Sequence, residues 1–135
     1  MLRTMIKTAI IAVTAVAAIV GTIGSASAAS GSSPVVDHFQ VLGFNNPPNA
    51  GGQFAYICNY QSTRNDFHFF VWDNNAHEYA TLTDSSATEY RGPVNTWVNA
   101  GECNSFKFTP ARQGNTVMVW GASDGNYTYV NVRWN

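Results

Sequence analysis

The sequence predicts an all-β fold, a single antiparallel β-sandwich or small barrel of about eight short strands with one disulfide. Short runs of aromatic and β-branched residues recur along the chain, and each run ends at a cluster of Asn, Asp, Gly or Pro. After residue 28, no run places its apolar residues at helical spacing. Many short strands separated by turn signals are typical of a sandwich or a barrel.

The first 28 residues have the composition of a secretory signal peptide. Arg3 and Lys7 precede an uncharged stretch rich in Ala, Ile and Val, and Ala26-Ser27-Ala28 supplies the small-residue cleavage pattern. The apolar stretch is short, so we expect no membrane anchor after processing. Removal of residues 1–28 leaves 107 of the 135 residues, and we expect 29–135 to form a single secreted, extracellular β domain. Residues 29–33 are small and polar and predict a mobile tail.

Turn signals divide this domain into eight or nine candidate strands. The candidate strands are 35–44, 53–60, 67–72, 78–83, 89–91, 94–98, 105–109, 116–122 and 127–134. The loop that follows the first strand, 45–52, contains two prolines and two glycines and fits neither a helix nor a strand interior. Asp124-Gly125 between the last two strands is a strong hairpin signal, because a tight hairpin turn needs positive φ angles.

Cys58 and Cys103 are the only cysteines, and an even pair in an exported chain predicts one disulfide. Cys58, Trp72 fourteen residues later and a second cysteine form a pattern that is similar to an immunoglobulin domain. The chain departs from that pattern at Gly101, where Tyr is expected two residues before the second cysteine. At least two strands also follow Cys103 where one is expected, so the resemblance supports the sandwich class and not the family.

Charge is sparse in the domain, which carries five basic and eight acidic residues once Arg3 and Lys7 are removed with the signal. It has no basic cluster that could neutralise phosphates, so nucleic acid is not an expected partner. Asn, Ser, Thr and Gln supply most of the polarity, and such neutral hydrogen-bonding groups suit neutral ligands such as sugars.

Catalytic signatures are weak. His77-Glu78 begins like a zinc-protease motif, but Thr81 stands where the second His is needed. His38, His68 and His77 are scattered, and Glu78, Glu89 and Glu102 lie near strand ends, where exposed glutamates are common. Asp73, Asn75 and Glu78 could offer oxygens to calcium, but their spacing is also that of an ordinary turn. We therefore predict no catalytic residue, no metal and no cofactor.

Strand alternation predicts which side chains point outward. On the last strand Thr128, Val130, Val132 and Trp134 are predicted to face the core, and on the preceding strands Val117, Val119, Phe67, Phe69 and Val71 do so. Phe70 and Trp72 are interpreted as residues of a central strand covered on both faces. The residues predicted to form a binding surface are Tyr127, Tyr129, Asn131 and Arg133, joined by Trp120 and Trp97.

This mixture of rings, amides and a guanidinium favours a secreted, non-catalytic binding module, with a carbohydrate or cell-wall polymer as its ligand. The alternative is a protein-directed role, as an inhibitor of an extracellular hydrolase or as a small toxin or antimicrobial protein. In that case loops 45–52 and 91–96 would meet the protein target. A small hydrolase using His68, His77 or Glu78 is the third hypothesis.

Overall fold

The computed structural model describes residues 30–45, 53–109, 112 and 114–133, and it is all-β with two antiparallel sheets packed as a sandwich. The predicted fold class is therefore confirmed. The described strands are β1 Ser30–Ser32, β2 Phe39–Asn45, β3 Gln53–Asn59, β4 Asn65–Asp73, β5 Glu78–Tyr79, β6 Thr81–Thr83, β7 Glu89–Arg91, β8 Val94–Val98, β9 Cys103–Thr109, β10 Thr116–Ser123 and β11 Asn126–Arg133.

Six strands form the first sheet, in the order β1-β2-β3-β9-β6-β7, and five form the second. In the second sheet β11, β10 and β4 are neighbours, and β4 pairs on its other side with β8 and with β5. β8 covers the first half of β4, from Asn65 to Phe69, and β5 covers its end at Trp72 and Asp73. The second sheet therefore has β11 at one edge and β5 and β8 at the other.

The core lies between the two sheets and is built from the inward residue of each strand alternation. The inward prediction is confirmed for Phe67, Phe69, Val71, Val117, Val119, Thr128 and Val132, which are buried, and for Val130, which is partly buried against the core. The two sheets approach each other closely at Gly121. A Cβ built on it would lie 2.7 Å from Val41 Cγ1 and 2.9 Å from Ile57 Cδ1.

The strand count is eleven and not about eight. Two features of the backbone each add one strand to the nine candidate ranges. The predicted strand 78–83 is divided between the sheets, because Glu78–Tyr79 pairs with β4 and Thr81–Thr83 pairs with β9. Ala80, buried between them, is the residue at which the chain crosses from one sheet to the other. The additional strand, β1, precedes every predicted one.

The N-terminal segment 29–33 was expected to be mobile, and this expectation is wrong for its described part. Ser30–Ser32 pairs with Leu42–Phe44 of β2, and Ser33 is buried with its Oγ accepting a hydrogen bond from Val41 N. Small residues are required here because a Cβ on Gly31 would lie 2.8 Å from Val130 Cγ2. The small side chains that predict a mobile tail therefore allow this strand to pack against β11.

The first predicted strand, 35–44, begins later than expected, at Phe39. Asp37 and His38 have φ angles of 43° and 61° and form a tight turn that Val36 and Phe39 close by two backbone hydrogen bonds. The Asp124-Gly125 hairpin is confirmed, since these residues have φ angles of 50° and 80° between β10 and β11.

Cys58 and Cys103 form the predicted disulfide, across directly paired positions of β3 and β9. Phe54, Tyr56 and Cys58 share one face of β3, and this face is the outer one, because Ala55 and Ile57 point into the core. Leu42, Phe44, Tyr56 and Tyr60 pack around the disulfide. Burial raises the pKa of Tyr60 to about 12, and its hydroxyl donates to Gln40 Oε1 at 2.8 Å.

Buried polar side chains join the ends of strands. Asp73 is buried, and its carboxylate accepts bonds from Asn75 N, Ala76 N and Asn115 Nδ2. Asn75 Oδ1 in turn accepts from Thr116 N at 2.7 Å. The Asp and Asn oxygens considered as calcium ligands are thus used to hold the turn after β4 against the start of β10.

Two predictions fall on other parts of the chain. The predicted signal peptide, 1–28, and the inward Trp134 lie outside the described residues. The described residues contain no helix long and apolar enough to span a membrane.

The disulfide closes a loop of 45 residues, and chain entropy predicts that it stabilises the folded domain by about 4 kcal/mol. We expect the double variant Cys58→Ala/Cys103→Ala to lose about that much free energy of unfolding, measured by urea denaturation of oxidised wild type and variant. An unchanged urea midpoint would contradict this role.

Gly121→Val is expected to destabilise the domain by about 1–3 kcal/mol, because the added carbons meet Val41 and Ile57 where the sheets approach closely. Ala122→Val adds two carbons at the next residue, which points away from the core, and serves as the control. The same urea titration measures both variants. Equal losses of unfolding free energy would show that the close approach at Gly121 does not cause the destabilisation.

Candidate functional site

The outer side of the second sheet carries a cluster of aromatic side chains. In β4, β10 and β11 the residues between the core positions point outward, and Tyr79 of β5 joins them through its pairing with Trp72. We call this cluster the aromatic face, and it consists of Phe70, Trp72, Tyr79, Trp120, Tyr127 and Tyr129. Met118 is half-buried among these positions on β10.

Strand register arranges the outward residues in rows across the sheet. One row contains Tyr129, Trp120 and Phe70 at paired positions. The next row towards the β4–β5 turn contains Asn131, Met118, Trp72 and Tyr79. The aromatic face thus extends over four neighbouring strands.

The rings hold one another in place. Phe70 and Trp120 are stacked, with centroids 4.7 Å apart and an interplanar angle of 18°. Tyr127 lies nearly parallel to Trp120 at 6.1 Å, so Trp120 stands between two rings. Tyr79 meets Phe70 and Trp72 edge-to-face at 5.4 and 5.0 Å. Aromatic pairs in these geometries contribute about 0.5–1.5 kcal/mol each beyond burial.

Tyr127 and Tyr129 are the most solvent-accessible rings of the aromatic face, with 60% and 47% of their surface exposed. They lie two residues apart on the edge strand β11, on the same side of the sheet. Phe70, Trp72 and Trp120 are half-buried. A flat ligand would therefore meet the two tyrosines first, with Trp120 behind them.

Asn131 and Arg133 continue the exposed row along β11. Asn131 Oδ1 accepts a hydrogen bond from Asn74 Nδ2 at 3.0 Å. That bond fixes the Asn131 amide and leaves its NH₂ group directed elsewhere, available as a donor. Arg133 pairs with Thr116 at the far end of the strand.

Trp97 is separated from the other five residues predicted to form the binding surface. It lies on β8 opposite Asp66, on the outer side of the same sheet, and is 57% exposed. Strand spacing and rise place it roughly 16 Å from Tyr127. Arg64 Cζ lies 4.8 Å from the centre of its ring, so the guanidinium covers part of one ring face.

Within the described part of the chain, no second layer covers Phe70 and Trp72, which corrects the sequence interpretation. β4 is central in its sheet, but among the described residues these two side chains are shielded by Trp120 and Tyr79 and remain partly exposed. Their alternation with Phe69 and Val71 already indicated the outer face. The sequence does not identify Tyr79 as an aromatic-face residue, because it predicts one continuous strand over 78–83. In the structure this segment is divided between the two sheets at Ala80.

A polar cleft of about 330 Å³ opens where β8 diverges from β9. The residues that line it include Asp84, Tyr90, Asn95, Thr96 and Asn104, which carry hydrogen-bonding groups, and Val94 and Phe106, which add apolar surface. We call this site the polar cleft. Cys103 also lines it, so the disulfide lies beside it.

Asp84 organises one wall of the polar cleft. Its Oδ1 accepts bonds from Ser86 N, Ser86 Oγ and Thr88 N, and its Oδ2 accepts from the Tyr90 hydroxyl at 2.9 Å. The hydrogen bonds from the Ser86 side chain and the Thr88 backbone lower the pKa of Asp84. The bond to Asp84 raises the pKa of Tyr90. Asp84 is therefore a fixed acceptor at neutral pH, and Tyr90 remains protonated.

The three histidines fall at separate places. His38 and His77 have positive φ angles and occupy turns, and His68 is exposed on β4. Among the described residues, no group of three or more His, Cys, Asp or Glu side chains is placed to hold a metal ion. The three histidines therefore do not meet at a single site.

Comparison with known proteins adds no relative. No protein-family model matches the chain, and neither the curated proteins nor the solved structures contain a significant match. The candidate site consequently rests on the geometry of this chain.

Phe70→Ala tests whether the rings support one another. Removal of the ring that stacks on Trp120 and meets Tyr79 is expected to cost about 1–2 kcal/mol of unfolding free energy, less than a fully buried Phe. We also expect loss of near-ultraviolet circular dichroism intensity. Phe70→Leu, which keeps bulk but no ring, should recover part of the stability and none of the dichroism. An unaltered spectrum in Phe70→Ala would contradict the stacked arrangement.

Proposed function

We propose that this protein is a secreted, non-catalytic binding module whose aromatic face holds a carbohydrate or cell-wall polymer. The observation that carries the proposal is the aromatic face itself, with Tyr127 and Tyr129 its most exposed rings, side by side on β11. An exposed group of rings on one side of a small domain is unusual, because a monomer gains by covering large apolar surface.

Stacking is the interaction that such rings offer to a sugar. The C–H groups on one side of a pyranose ring form an apolar surface that packs on an aromatic ring, while the hydroxyl groups at its rim form hydrogen bonds. The Asn131 amide, fixed by Asn74, supplies a donor next to the two tyrosines. Tyr127, Tyr129 and Asn131 therefore combine the two kinds of contact that a sugar requires.

Preorganisation supports the same proposal. Trp120 stands between Phe70 and Tyr127, so the positions of these three rings are fixed before a ligand arrives. Ordering a side chain at an interface costs about 0.5–1.5 kcal/mol, and a ring that is already held avoids part of this cost.

The charge of the face favours a neutral polymer. Its rings are bordered by amides and by His68, with one charged residue, Arg133, at the end of β11 and another, Asp66, beyond His68 on β4. Neutral hydroxyl groups match such a border better than a chain of phosphates, which needs several cations. Nucleic acid is therefore not a proposed partner.

Secretion is part of the proposal and rests on the signal-peptide pattern of residues 1–28. The disulfide between Cys58 and Cys103 is compatible with an oxidising, extracellular location. After processing, the domain is proposed to act outside the cell.

The alternative, an inhibitor of an extracellular hydrolase or a toxin, stays a prediction. Of its two proposed contact loops, residues 46–52 lie outside the described part of the chain. The other, 91–96, consists mostly of strand, with Gly92 and Pro93 as a short connection between β7 and β8. The aromatic face gives the carbohydrate proposal a specific surface that this alternative lacks.

The proposal is tested by pull-down of oxidised 29–135 on insoluble cellulose, chitin and peptidoglycan, with competition by soluble sugars. Tyr127→Ala/Tyr129→Ala should reduce retention on the bound polymer roughly tenfold or more, because two stacked rings together contribute about 1–3 kcal/mol. Tyr127→Phe/Tyr129→Phe keeps both rings and should retain most of the binding.

Urea denaturation of the variants controls for folding. Retention that soluble sugar competes and that the alanine pair abolishes would support the proposal. Equal retention of wild type and the alanine pair would exclude this surface. Failure to bind any of the polymers would favour protein targets.

A further inference from the structure

A row of four outward positions crosses the outer side of the second sheet next to the aromatic face, and we call this row the trough. Tyr127, Ala122, His68 and Asn95 occupy paired positions on β11, β10, β4 and β8, so they form one row perpendicular to the strands. Ala122 has the smallest side chain of the row, at its second position. Three strand spacings give the row a length of roughly 14 Å.

Large rings border this row on one side, and on the other side a single ring, Trp97, lies next to its β8 end. Two residues along β10 and β4, the stacked Trp120 and Phe70 form one wall. Two residues along β8 in the opposite sense, the exposed Trp97 stands beyond Asn95. Asp66, two residues before His68 on β4, faces outward on the same side as Trp97. Ala122 is therefore low beside the wall formed by Trp120 and Phe70.

The trough ends at β8, the edge strand that also borders the polar cleft. Asn95 belongs to both, because it lies on the outer side of β8 opposite His68 and also lines the cleft. Beyond it the cleft presents Asp84, whose Oδ2 carries one described hydrogen bond and has room to accept another. Thr96 Oγ1 accepts from Asn104 Nδ2 at 2.7 Å, so the Thr96 hydroxyl hydrogen can be donated to a ligand.

The edge of β8 adds backbone groups to this end of the trough. Trp97 O accepts a bond from Asn104 Nδ2 and is therefore directed away from β4. Backbone groups alternate in direction along a strand, so the N–H and C=O of Asn95, two residues earlier, point to the same side. They offer a further donor and acceptor where the trough meets the cleft.

We propose that a neutral oligosaccharide chain lies along this trough, stacked on Tyr127 at one end and hydrogen-bonded in the polar cleft at the other. This inference rests on the proposed function and specifies it, because a length of roughly 14 Å exceeds one sugar unit and requires a linear chain. The rings supply contact area at one end, and Asp84, Asn95 and Thr96 form hydrogen bonds with sugar hydroxyl groups at the other.

The test uses isothermal titration calorimetry with soluble oligosaccharides, from disaccharide to hexasaccharide, of the polymer that the domain retains. Ala122→Trp fills the trough and should weaken hexasaccharide binding about tenfold or more. Thr116→Trp places the same ring on the outer side of the same strand, in the row of Arg133, and should change binding less than about twofold. If Ala122→Trp lowers the urea midpoint, Ala122→Met repeats the test with a narrower side chain.

Asn95→Ala examines the far end of the trough. Asn95 is exposed and its side chain makes no described hydrogen bond, so its loss should leave the fold intact. We expect it to weaken binding of the longest oligosaccharide about threefold or more and to leave disaccharide binding unchanged.

Different outcomes separate this inference from the proposed function. If the Tyr127→Ala/Tyr129→Ala pair loses binding while Ala122→Trp binds like wild type, the aromatic face is used and the trough is not. Affinity that stops rising at the disaccharide would also overturn the trough. If no oligosaccharide binds the wild type, both proposals fail.

Discussion

The packing of the two sheets against each other determines what every strand of this domain can present to solvent. The sheets are so close at Gly121 that a methyl group there would meet Val41 and Ile57. Alternate residues of β4 and β10 are buried in this core, so the other side chains of these two strands must point outward. Those side chains include Phe70, Trp72 and Trp120. The aromatic face is thus the reverse side of the strands that build the core.

The disulfide and the aromatic face are placed on different sheets. The disulfide and the side chains around it lie on the outer side of the first sheet, at β3 and β9. The aromatic face lies on the outer side of the second sheet. Because the core separates the two, substitutions at Tyr127 or Tyr129 leave the contacts of Cys58 undisturbed. A small domain can in this way carry exposed rings without weakening the link that braces it.

Alternation made much of this architecture predictable from the sequence. The period of two assigned Val117, Val119 and Val132 to the core and Tyr127 and Tyr129 to the outside, and the structure confirms these orientations. Alternation carries no information about which strands become neighbours. The separation of Trp97 from Tyr127, and the polar cleft beside β9, depend on pairing between distant segments and could not be predicted.

Local sequence also failed where tertiary contacts overrode its usual meaning. Ser30–Ser32 has the composition of a tail, yet its small side chains are what fit against Val130 and Val132. Residues 78–83 have the composition of one strand, yet the chain changes sheets at Ala80. In both cases the outcome depends on contacts with other strands, and these contacts exist only in the folded chain.

The crossing at Ala80 has a mechanical consequence. Tyr79 belongs to the aromatic face of the second sheet. Leu82, three residues later, lies on β6 of the first sheet and is buried in the core. A force applied to that face passes along covalent backbone from the second sheet into the first, in addition to the packed side chains between them. Sliding of one sheet over the other would therefore have to stretch the chain itself. For a domain proposed to hold an insoluble polymer, this backbone connection at Ala80 resists shear at the face that binds the polymer.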